Sequence, residues 1–304
     1  MIGKLILKRI VAPIVIVSAT AVSAVLGFTG CLSQHYKGNN YAKWMAGLDD
    51  NASLREVNMP GSHDTMALYS IGNLAGQCQS LSLLDQLNLG VRFLDIRLKQ
   101  EGDNLKAVHG IVDEKSNFDE INEIVTKFLK DNPSEFIIMS VKEEADASKP
   151  VGSFEDCLKS KISNRYLLGT SLPNRVGDIR GKVVLLSRYP NSTVGIPAYN
   201  GWQVSTSFTL PNSDIYIQDE YKITSKEQKI DAITSCFNET GHALKINFLS
   251  AYRTNYIPPS YAPSAALDIN PWINENISSF NDRNIVLYDF VTETNMNEFF
   301  KGVL

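Results

Sequence analysis

Eight short apolar runs recur along the sequence and constrain the fold more than any other feature. Each run is bounded by turn residues. Several are continuous Val/Ile/Leu stretches of strand length, as expected for parallel strands buried on both faces. The runs are REVNM (55–59), VRFLDIRL (91–98), KAVHG (106–110), FIIMSVK (136–142), KVVLLSRY (182–189), IYIQDEY (215–221), ALKINFLS (243–250) and NIVLYDFV (284–291).

Helix-like segments separate most of these runs. The clearest is 118–133, whose apolar residues recur at helical spacing and which stops before Pro133. Residues 226–241 and 272–280 are two further candidates. The alternation predicts an α/β fold built as a single distorted (β/α)8 TIM barrel, and a doubly wound sheet is the alternative. With 304 residues, the chain is long enough for one such barrel.

Polar residues follow the predicted strands at their carboxyl ends, where α/β barrels place their active residues. Pro60-Gly61 is interpreted as a tight turn after the first strand that presents His63 and Asp64. Glu143 and Glu144 are interpreted as part of a solvated loop. The pattern predicts one catalytic pocket at this rim. The strand ends carry His63 with Asp64, Asp95 with Arg97, His109, Lys142 with Glu144, Arg188, Asp219 with Tyr221, Asn247 and Asp289.

Two of the four histidines, His63 and His109, stand at these strand ends. An imidazole changes its charge near neutral pH and can therefore act as a general base or a general acid. Asp64, Asp95 and Asp289 are each available to orient such a histidine and to stabilise its charged form. The sequence therefore predicts a pair of catalytic histidines in one pocket.

Arg97 stands two residues from Asp95, so both side chains face the same side of a strand. The guanidinium fork binds a phosphate through two parallel hydrogen bonds. Taken without the histidines, this pair is explained equally well as a structural salt bridge. With two histidines, and with no nucleophilic serine or cysteine motif, the arginine indicates phosphodiester cleavage by a hydroxyl of the substrate itself. The expected product is a cyclic phosphate.

Composition and motif searches exclude several classes of protein. Lys and Arg number 29 against 33 Asp and Glu, for a net charge of −4, which argues against a nucleic-acid partner. No zinc-ligand spacing, P-loop or dinucleotide-binding glycine pattern is present. The four cysteines are widely spaced and indicate isolated buried residues rather than a disulfide framework.

The amino terminus has the layout of an export signal. Lys4, Lys8 and Arg9 precede an uncharged apolar run over residues 10–28. The run ends in FTGC, and the last residue, Cys31, stands where bacterial lipoproteins carry their lipid. We rank a lipoprotein signal first, a plain secretory signal second and a retained anchor third. The domain organisation predicted is a signal over residues 1–31 and a barrel over 32–304, located outside the cytoplasm, either secreted or lipid-anchored.

An ordered set of motifs resembles the bacterial phosphatidylinositol-specific phospholipase C family, of the X-domain type. The motifs are MPGSHDTM, FLDIR, VHG, DNPSEFIIMSVKEE, VVLLSRY and IQDEY, in this order from about residue 59 to residue 221. The similarity extends from about residue 40 to the carboxyl terminus. It implies a distorted TIM barrel that cleaves phosphatidylinositol to diacylglycerol and inositol 1,2-cyclic phosphate.

The resemblance also implies roles for individual residues. His63 would be the general base toward the inositol 2-hydroxyl, with Asp289 as its partner. His109 would be the general acid toward the diacylglycerol oxygen, with Asp64 beside it. Arg97 would contact the phosphate. The remaining positions implied are a supporting carboxylate, Asp95, and an inositol-binding set of Lys142, Arg188, Asp219 and Tyr221.

The eukaryotic relatives hold a calcium ion, but Arg97 stands where the bacterial enzymes place a cation of their own, so the resemblance implies no metal and no cofactor. The implied partner is phosphatidylinositol in membranes or micelles, met by a monomer through transient contact with the membrane surface. Met66, Leu68, Tyr69 and Ile71 form either an apolar rim that touches lipid or the buried face of a helix. The Tyr- and Pro-rich segment 250–263 is either an interfacial loop or a rigid surface loop.

Two other functions fit parts of the sequence. One is a phosphodiesterase of the glycerophosphodiester type on a similar barrel, which needs a divalent metal and paired acidic ligands on the early strands. The other is a non-catalytic lipid- or glycan-binding protein of the cell surface. Loss of either strand-end histidine would have favoured the second, and both are present.

Overall fold

A computed structural model describes residues 40–70, 76–254 and 262–304 of the chain. The predicted signal over residues 1–31, including Cys31, lies outside the described residues. The described part contains short 3-10 turns, strands and helices. The strands are β1 (Met59–Ser62), β2 (Phe93–Glu101), β3 (Asn104–His109), β4 (Val112–Asn117), β5 (Ile137–Glu143), β6 (Tyr166–Leu167), β7 (Val183–Arg188), β8 (Ile196–Pro197), β9 (Ser207–Thr209), β10 (Ile215–Gln218), β11 (Lys222–Ile223), β12 (Leu244–Phe248), β13 (Tyr252–Arg253) and β14 (Ile285–Tyr288). The helices are α1 (Leu83–Asn88), α2 (Phe118–Asp131), α3 (Phe154–Lys161), α4 (Val176–Ile179), α5 (Lys226–Asn238), α6 (Ala262–Asn276) and α7 (Glu293–Phe300).

One curled sheet carries the fold. Its strands follow the order β6-β7-β5-β2-β1-β14-β12-β10-β9. Every neighbouring pair from β6 to β10 is parallel, and β9 closes the row as an antiparallel strand on β10. Within the described residues, the two end strands β6 and β9 are not paired with each other. The row of parallel strands confirms the predicted α/β barrel. The barrel is distorted because β6 and β9 leave a gap in its ring of hydrogen-bonded strands.

The first predicted strand, 55–59, is wrong. Residues Leu54–Glu56 form a 3-10 turn, and the strand is Met59–Ser62. Pro60-Gly61 consequently lies inside the strand and is not a turn after it. A Cβ atom on Gly61 would lie 2.9 Å from the Cβ of Phe93, so the glycine allows β1 to approach β2 closely.

The third predicted strand exists but has a different place in the sheet. β3 runs antiparallel to β2 and pairs on its other side with β4, so the two strands form a hairpin outside the barrel row. The turn of this hairpin follows His109 directly. The hairpin therefore brings His109 to the barrel rim from the side, whereas the other predicted site residues reach the rim on or just after strands of the barrel row.

The helices agree more closely with the sequence. Helix α2 begins after the cap Asn117, whose side chain accepts a hydrogen bond from the backbone of Glu120, and it buries the predicted apolar face. Helix α5 also matches its prediction. The third predicted helix is longer than expected, because α6 begins at Ala262 and passes through Pro271. Among the described residues, no helix is both long enough and apolar enough to cross a bilayer.

A buried ion pair closes the end of the barrel opposite the polar rim. Arg92, just before β2, lies 2.8 Å from Glu135, just before β5, and neither side chain is exposed. The remaining guanidinium hydrogens donate to backbone carbonyls, among them those of Leu87 and Ala42. Because every charge here has a partner, the pair can stay ionised in the core.

Candidate active site

The turn after β1 is fixed against β2 by hydrogen bonds. Asp64 has a positive φ of 43°, a conformation that a non-glycine residue adopts only with support from its surroundings. Its backbone N–H donates to a carboxylate oxygen of Asp95 at 3.1 Å. Thr65 bonds to the backbone of Asp95 through both its N–H and its hydroxyl. The turn therefore holds His63 and Asp64 in fixed positions at the rim.

His63 is held from both sides of its ring. Its Nδ1 lies 2.7 Å from Asp289 Oδ1, and its Nε2 lies 2.8 Å from Arg97 Nη2. Because the carboxylate accepts from Nδ1, the lone pair of this ring is on Nε2, the nitrogen that faces the arginine. Burial alone lowers the pKa of His63, but the charge and the hydrogen bond of Asp289 outweigh it and place the pKa above its ordinary value.

Arg97 connects the acidic groups at the bottom of the site. Its guanidinium contacts Asp95 Oδ2 at 3.0 Å and Asp64 Oδ2 at 3.3 Å, and Glu144 Oε1 lies 3.7 Å away. Burial alone raises the pKa of Asp95, but Arg97 and Arg188 hold it far below its usual range. Asp95 is therefore an anion that fixes both arginines.

His109 faces Arg97 and Asp64 from the hairpin. Its Nδ1 donates to the backbone carbonyl of Gly76 at 2.5 Å, so any second proton sits on Nε2, 3.4 Å from Asp64 Oδ2. Burial raises the pKa of Asp64, although Arg97 and His109 oppose the rise. The His109 side chain is 28% exposed, against 13% for His63, so His109 is the more open of the two histidines.

These side chains open into a cavity of about 790 Å³. Eight of the predicted site residues line it, while Asp64 and Asp95 are buried beneath it. Its polar wall carries an ion pair between Lys142 and Glu144 at 2.5 Å. The eight lining residues are His63, Arg97, His109, Lys142, Arg188, Asp219, Tyr221 and Asp289.

An aromatic side chain that the sequence reasoning missed completes the polar wall. The guanidinium of Arg188 stacks 3.4 Å from the ring centre of Trp202, and Trp202 Nε1 donates to Asp219 Oδ2 at 2.9 Å. Trp202 lies in an irregular loop between β8 and β9, where no periodic pattern marks it. The only signal available in the sequence was that a lone tryptophan stood in a polar loop.

Three other expectations are corrected or completed by the structure. Glu144 lies in the cavity and pairs with Lys142 and Arg97, so its interpretation as part of a solvated loop is wrong. Met66 is buried in a turn rather than a helix, and Tyr69 is 40% exposed, while Ile71 lies outside the described residues. Ser250, Ala251 and Tyr252 line the cavity, and residues 255–261 of the same segment are outside the described part.

Metal-ligating atoms also come close together in the cavity. His63, Cys78 and Asp289 form one such group, and Asp64, Cys78 and His109 form another, with the ligand atoms of each group within 4.8 Å of one another. Both groups share the buried thiol of Cys78, which the sequence reasoning did not assign to the site. Calcium takes six to eight oxygen ligands, whereas each group offers one carboxylate together with a thiol and an imidazole.

The arrangement suits transfer of a phosphoryl group from one oxygen to another, with a proton carrier beside each oxygen. One histidine with a carboxylate partner stands on each side of Arg97, whose two terminal nitrogens contact His63 and Asp64. A phosphate bound at the guanidinium would have an imidazole nitrogen within reach on either side. Such a site can remove a proton at one oxygen of a phosphodiester and supply a proton at another.

Sequence comparison places the chain beside known enzymes. Residues 57–189 match the family model described as "Phosphatidylinositol-specific phospholipase C, X domain". A 1-phosphatidylinositol phosphodiesterase of Listeria monocytogenes is 29% identical over 277 residues, which cover 86% of this chain and 84% of that protein. A Staphylococcus aureus protein of the same name is 27% identical and covers 78% of this chain and 83% of its own.

Solved structures agree with the fold. The phosphatidylinositol-specific phospholipase C of Listeria monocytogenes superposes with a TM-score of 0.69 at 26% identity and covers 86% of this chain and 98% of that one. A Staphylococcus aureus counterpart, studied for the modulation of its membrane binding, gives a TM-score of 0.72 at 24% identity, with 86% and 97% coverage. The distorted barrel is thus shared over 86% of this chain and nearly all of each of the two solved structures.

Proposed function

We propose that this chain, a member of the bacterial phosphatidylinositol-specific phospholipase C family, cleaves phosphatidylinositol into diacylglycerol and inositol 1,2-cyclic phosphate. The named relatives are 1-phosphatidylinositol phosphodiesterases. The single observation that carries the proposal is the position of Arg97 between two histidine–aspartate pairs. The other parts of the site fit a substrate with a phosphodiester and a polyhydroxylated ring.

In the first half of the reaction, His63 acts as the general base. Its Nε2 takes the proton of the inositol 2-hydroxyl, and the freed oxygen forms a bond to phosphorus. Asp289 stabilises the resulting imidazolium through Nδ1 at 2.7 Å. The raised pKa of His63 matches a ring that accepts a proton and holds it during the step.

In the second half, His109 acts as the general acid. The bond from phosphorus to the glycerol oxygen breaks, and Nε2 of His109 supplies the proton that this oxygen needs to leave as diacylglycerol. The Gly76 carbonyl occupies Nδ1, so the ring can deliver a proton only from the side that faces Asp64. Arg97 stabilises the negative charge that develops on the phosphate oxygens, and the proposed reaction therefore uses no metal ion.

The rest of the cavity provides hydrogen-bond partners for the inositol ring. Lys142, Arg188 and Asp219 offer donors and acceptors that can bind neighbouring hydroxyls, and Glu144 adds a further acceptor. Tyr221 supplies an aromatic face for the ring. Asp95 supports the site from below by fixing Arg97 and Arg188.

Two substitutions test the catalytic assignment. In His63→Ala and in His109→Ala, turnover of phosphatidylinositol should fall by about 10²–10⁴-fold, the usual contribution of a positioned acid or base. Circular dichroism should show that both variants stay folded, because neither side chain belongs to the hydrophobic core. Activity like that of the wild type in either folded variant would refute the two-histidine mechanism.

We further propose that the hairpin turn beside His109 touches the membrane. Ile111, two residues after His109, is 90% exposed, and Tyr69 and Val204 are exposed apolar residues elsewhere on the surface. Val204 also lines the cavity. A lipid whose phosphate reaches Arg97 would keep its acyl chains near this turn, so burial of Ile111 in the interface would aid binding.

The matched substitutions Ile111→Ser and Leu304→Ser test this contact. Leu304 is 63% exposed and follows helix α7. Phe300 of this helix packs against Gly90, which precedes β2 and therefore lies at the end of the barrel opposite the cavity. We expect Ile111→Ser to lower activity on vesicles and to leave activity on a soluble inositol phosphodiester unchanged, while Leu304→Ser alters neither. An equal loss on both substrates in Ile111→Ser would instead mean that the turn supports His109.

The remaining expectations concern the whole protein and stay proposals. We propose that residues 1–31 are an export signal, of lipoprotein type at Cys31, and that residues 32–304 act as a single catalytic barrel outside the cytoplasm. We also propose that the protein acts as a monomer without nucleic-acid partners. Mass spectrometry of the membrane fraction, before and after lipoprotein lipase, tests the first of these.

A further inference from the structure

Cys78 places a thiol in the cavity wall that the proposed reaction does not use. The residue is buried, and its Sγ lies within 4.8 Å of a ring nitrogen of His63 and of a carboxylate oxygen of Asp289. The same thiol forms an equivalent group with Asp64 and His109. One soft ligand atom therefore stands between the two histidine–aspartate pairs.

A second observation at this place points to a ligand. Asp289 is 2% exposed, and its Oδ2 has no hydrogen-bond partner among the described residues. The Oδ2 of Asp64, 1% exposed, likewise accepts no hydrogen bond, although it is ion-paired with Arg97 and His109. A buried carboxylate oxygen that accepts no hydrogen bond has a free lone pair, which it can donate to a metal ion.

We propose that His63, Cys78 and Asp289 form an inhibitory site for Zn²⁺. A thiolate, an imidazole and a carboxylate are the donor types that zinc prefers, whereas calcium and magnesium prefer oxygen alone. The ion takes Nδ1 of His63, because this nitrogen faces the Asp289 carboxylate at 2.7 Å. Binding releases the thiol proton to solvent and moves the proton of Nδ1 to Nε2, so that Arg97 gives up its contact with Nε2.

The geometry needs only small movements. An ion at the centre of three ligand atoms that lie no more than 4.8 Å apart is at most about 2.8 Å from each, against about 2.3 Å for a zinc–sulfur bond and 2.0–2.2 Å for zinc–nitrogen and zinc–oxygen bonds. Each side chain therefore closes in by less than about 1 Å. The alternative group at Asp64 is less suited to a cation, because Arg97 Nη1 already lies 3.3 Å from its Oδ2.

The consequence for activity rests on the proposed function, but binding does not. A zinc ion on Nδ1 replaces the hydrogen bond to Asp289 that stabilises protonated His63. The ring then carries the metal on Nδ1 and its proton on Nε2, so neither nitrogen has a lone pair left to take the proton of the inositol hydroxyl. Removal of the ion by a chelator should restore the base.

Cobalt(II), which accepts the same ligands and reports them by absorption, tests binding without any substrate. One equivalent of Co²⁺ added to the full-length protein should produce the ultraviolet charge-transfer band of a thiolate–cobalt bond, and excess Zn²⁺ should abolish it. The band should be missing from Cys78→Ser and present in Cys157→Ser. Cys157 is a matched control, because it is also a buried thiol but bonds to the Asp103 carbonyl outside the cavity.

Inhibition is measured in a second experiment. Zn²⁺ should inhibit the wild type and Cys157→Ser at the same concentration, with full recovery in EDTA. Cys78→Ser, compared with its own metal-free rate, should need at least roughly tenfold more Zn²⁺. Equal sensitivity of the two variants to Zn²⁺ would overturn the proposal. The absence of a charge-transfer band from the wild type would also overturn it, and this result does not depend on the folding of any variant. A band without inhibition would place the ion at Cys78 but contradict the role of His63.

Discussion

At the scale of single residues, the two histidines have different surroundings, and these surroundings assign different roles. His63 is enclosed between Asp289 and Arg97, with its free lone pair toward the guanidinium. His109 is more exposed, and its Nδ1 is tied to a backbone carbonyl. The first arrangement suits a base that must receive a proton next to the phosphate. The second suits an acid that faces the departing lipid.

Two substrates with different leaving groups distinguish the general base from the general acid. An aryl inositol phosphate releases a phenolate, which needs little help from a general acid. In His109→Ala we therefore expect a loss of about 10²–10⁴-fold on phosphatidylinositol and a much smaller loss on the aryl substrate. Steady-state rates on both substrates measure the difference. His63→Ala is the control, since its loss should be the same on both, and a reversed pattern would exchange the two roles.

Arg97 can be tested by a substitution that keeps its charge. Lysine cannot contact His63, Asp64 and Asp95 at once, because it lacks the planar fork. We expect Arg97→Lys to lower kcat by about 10²–10³-fold, as for the loss of a preorganised donor to a developing oxyanion. The KM should change much less. An unchanged kcat would mean that the guanidinium is only a structural counter-ion for the two aspartates.

At the scale of elements, the β3–β4 hairpin joins the acid to the loop that follows the first histidine. Glu114 on β4 accepts hydrogen bonds at Oε2 from the backbone of Leu68 and Tyr69, at 2.8 and 2.9 Å. The Gly76 carbonyl farther along this loop holds His109, on β3. The hairpin is thus hydrogen-bonded both to residues 68–69 and to Gly76.

The contribution of Glu114, on this hairpin, to the free energy of unfolding depends on pH. Burial raises the pKa of Glu114 to about 7 from 4.5. The folded protein therefore holds this proton at pH values where the unfolded chain has released it, and the stability that this provides is lost as pH rises from about 4.5 through 7. After allowance for solvent screening, we expect Glu114→Gln to gain on the order of 1–2 kcal/mol relative to wild type between pH 5 and pH 8.

Urea unfolding of both proteins at these two pH values measures the change in free energy. The same comparison on Glu298→Gln is the control, because Glu298 forms an exposed pair with Lys301. A constant difference between wild type and Glu114→Gln across this pH range would contradict the raised pKa of Glu114.

Regular strands and helices were predictable from the sequence, whereas features of irregular segments were not. Runs such as VVLLSR and the helix at 118–131 were predictable, because burial on both faces or on one face leaves a periodic signature. The interior position of Pro60-Gly61 was not, because local turn preference suggests the opposite and only the close approach of Phe93 requires the glycine. Trp202 and Cys78 enter the cavity from irregular segments, where no period marks them. Glu144 was misread because its partners, Arg97 and Lys142, come together only through the register of β2 and β5.

At the scale of the whole molecule, the two ends of the barrel have different tasks. The rim at the carboxyl ends of the strands carries the cavity, and the opposite end carries the buried pair of Arg92 and Glu135. Barrels in general separate catalysis from stability in this way. Substitutions at the rim should therefore change the catalytic rate, and substitutions at the opposite end should change the free energy of unfolding.

Arg92→Leu tests this separation. It leaves the Glu135 carboxylate buried without its partner, so we expect a loss of about 3–5 kcal/mol in the free energy of unfolding. The rate per folded molecule should not change. Lys127→Ala, which breaks an exposed pair with Asp131, is the control and should cost less than about 1 kcal/mol. A large fall in the rate of folded Arg92→Leu would show that the two ends are coupled.

The central claim is that two histidines and an arginine form a cyclic phosphate from phosphatidylinositol without a metal ion. The most direct test is phosphorus NMR of the purified protein acting on phosphatidylinositol micelles in excess EDTA. We expect the signal of inositol 1,2-cyclic phosphate. Silence in EDTA followed by activity on addition of calcium would contradict it, because Arg97 would then not supply the charge at the phosphate.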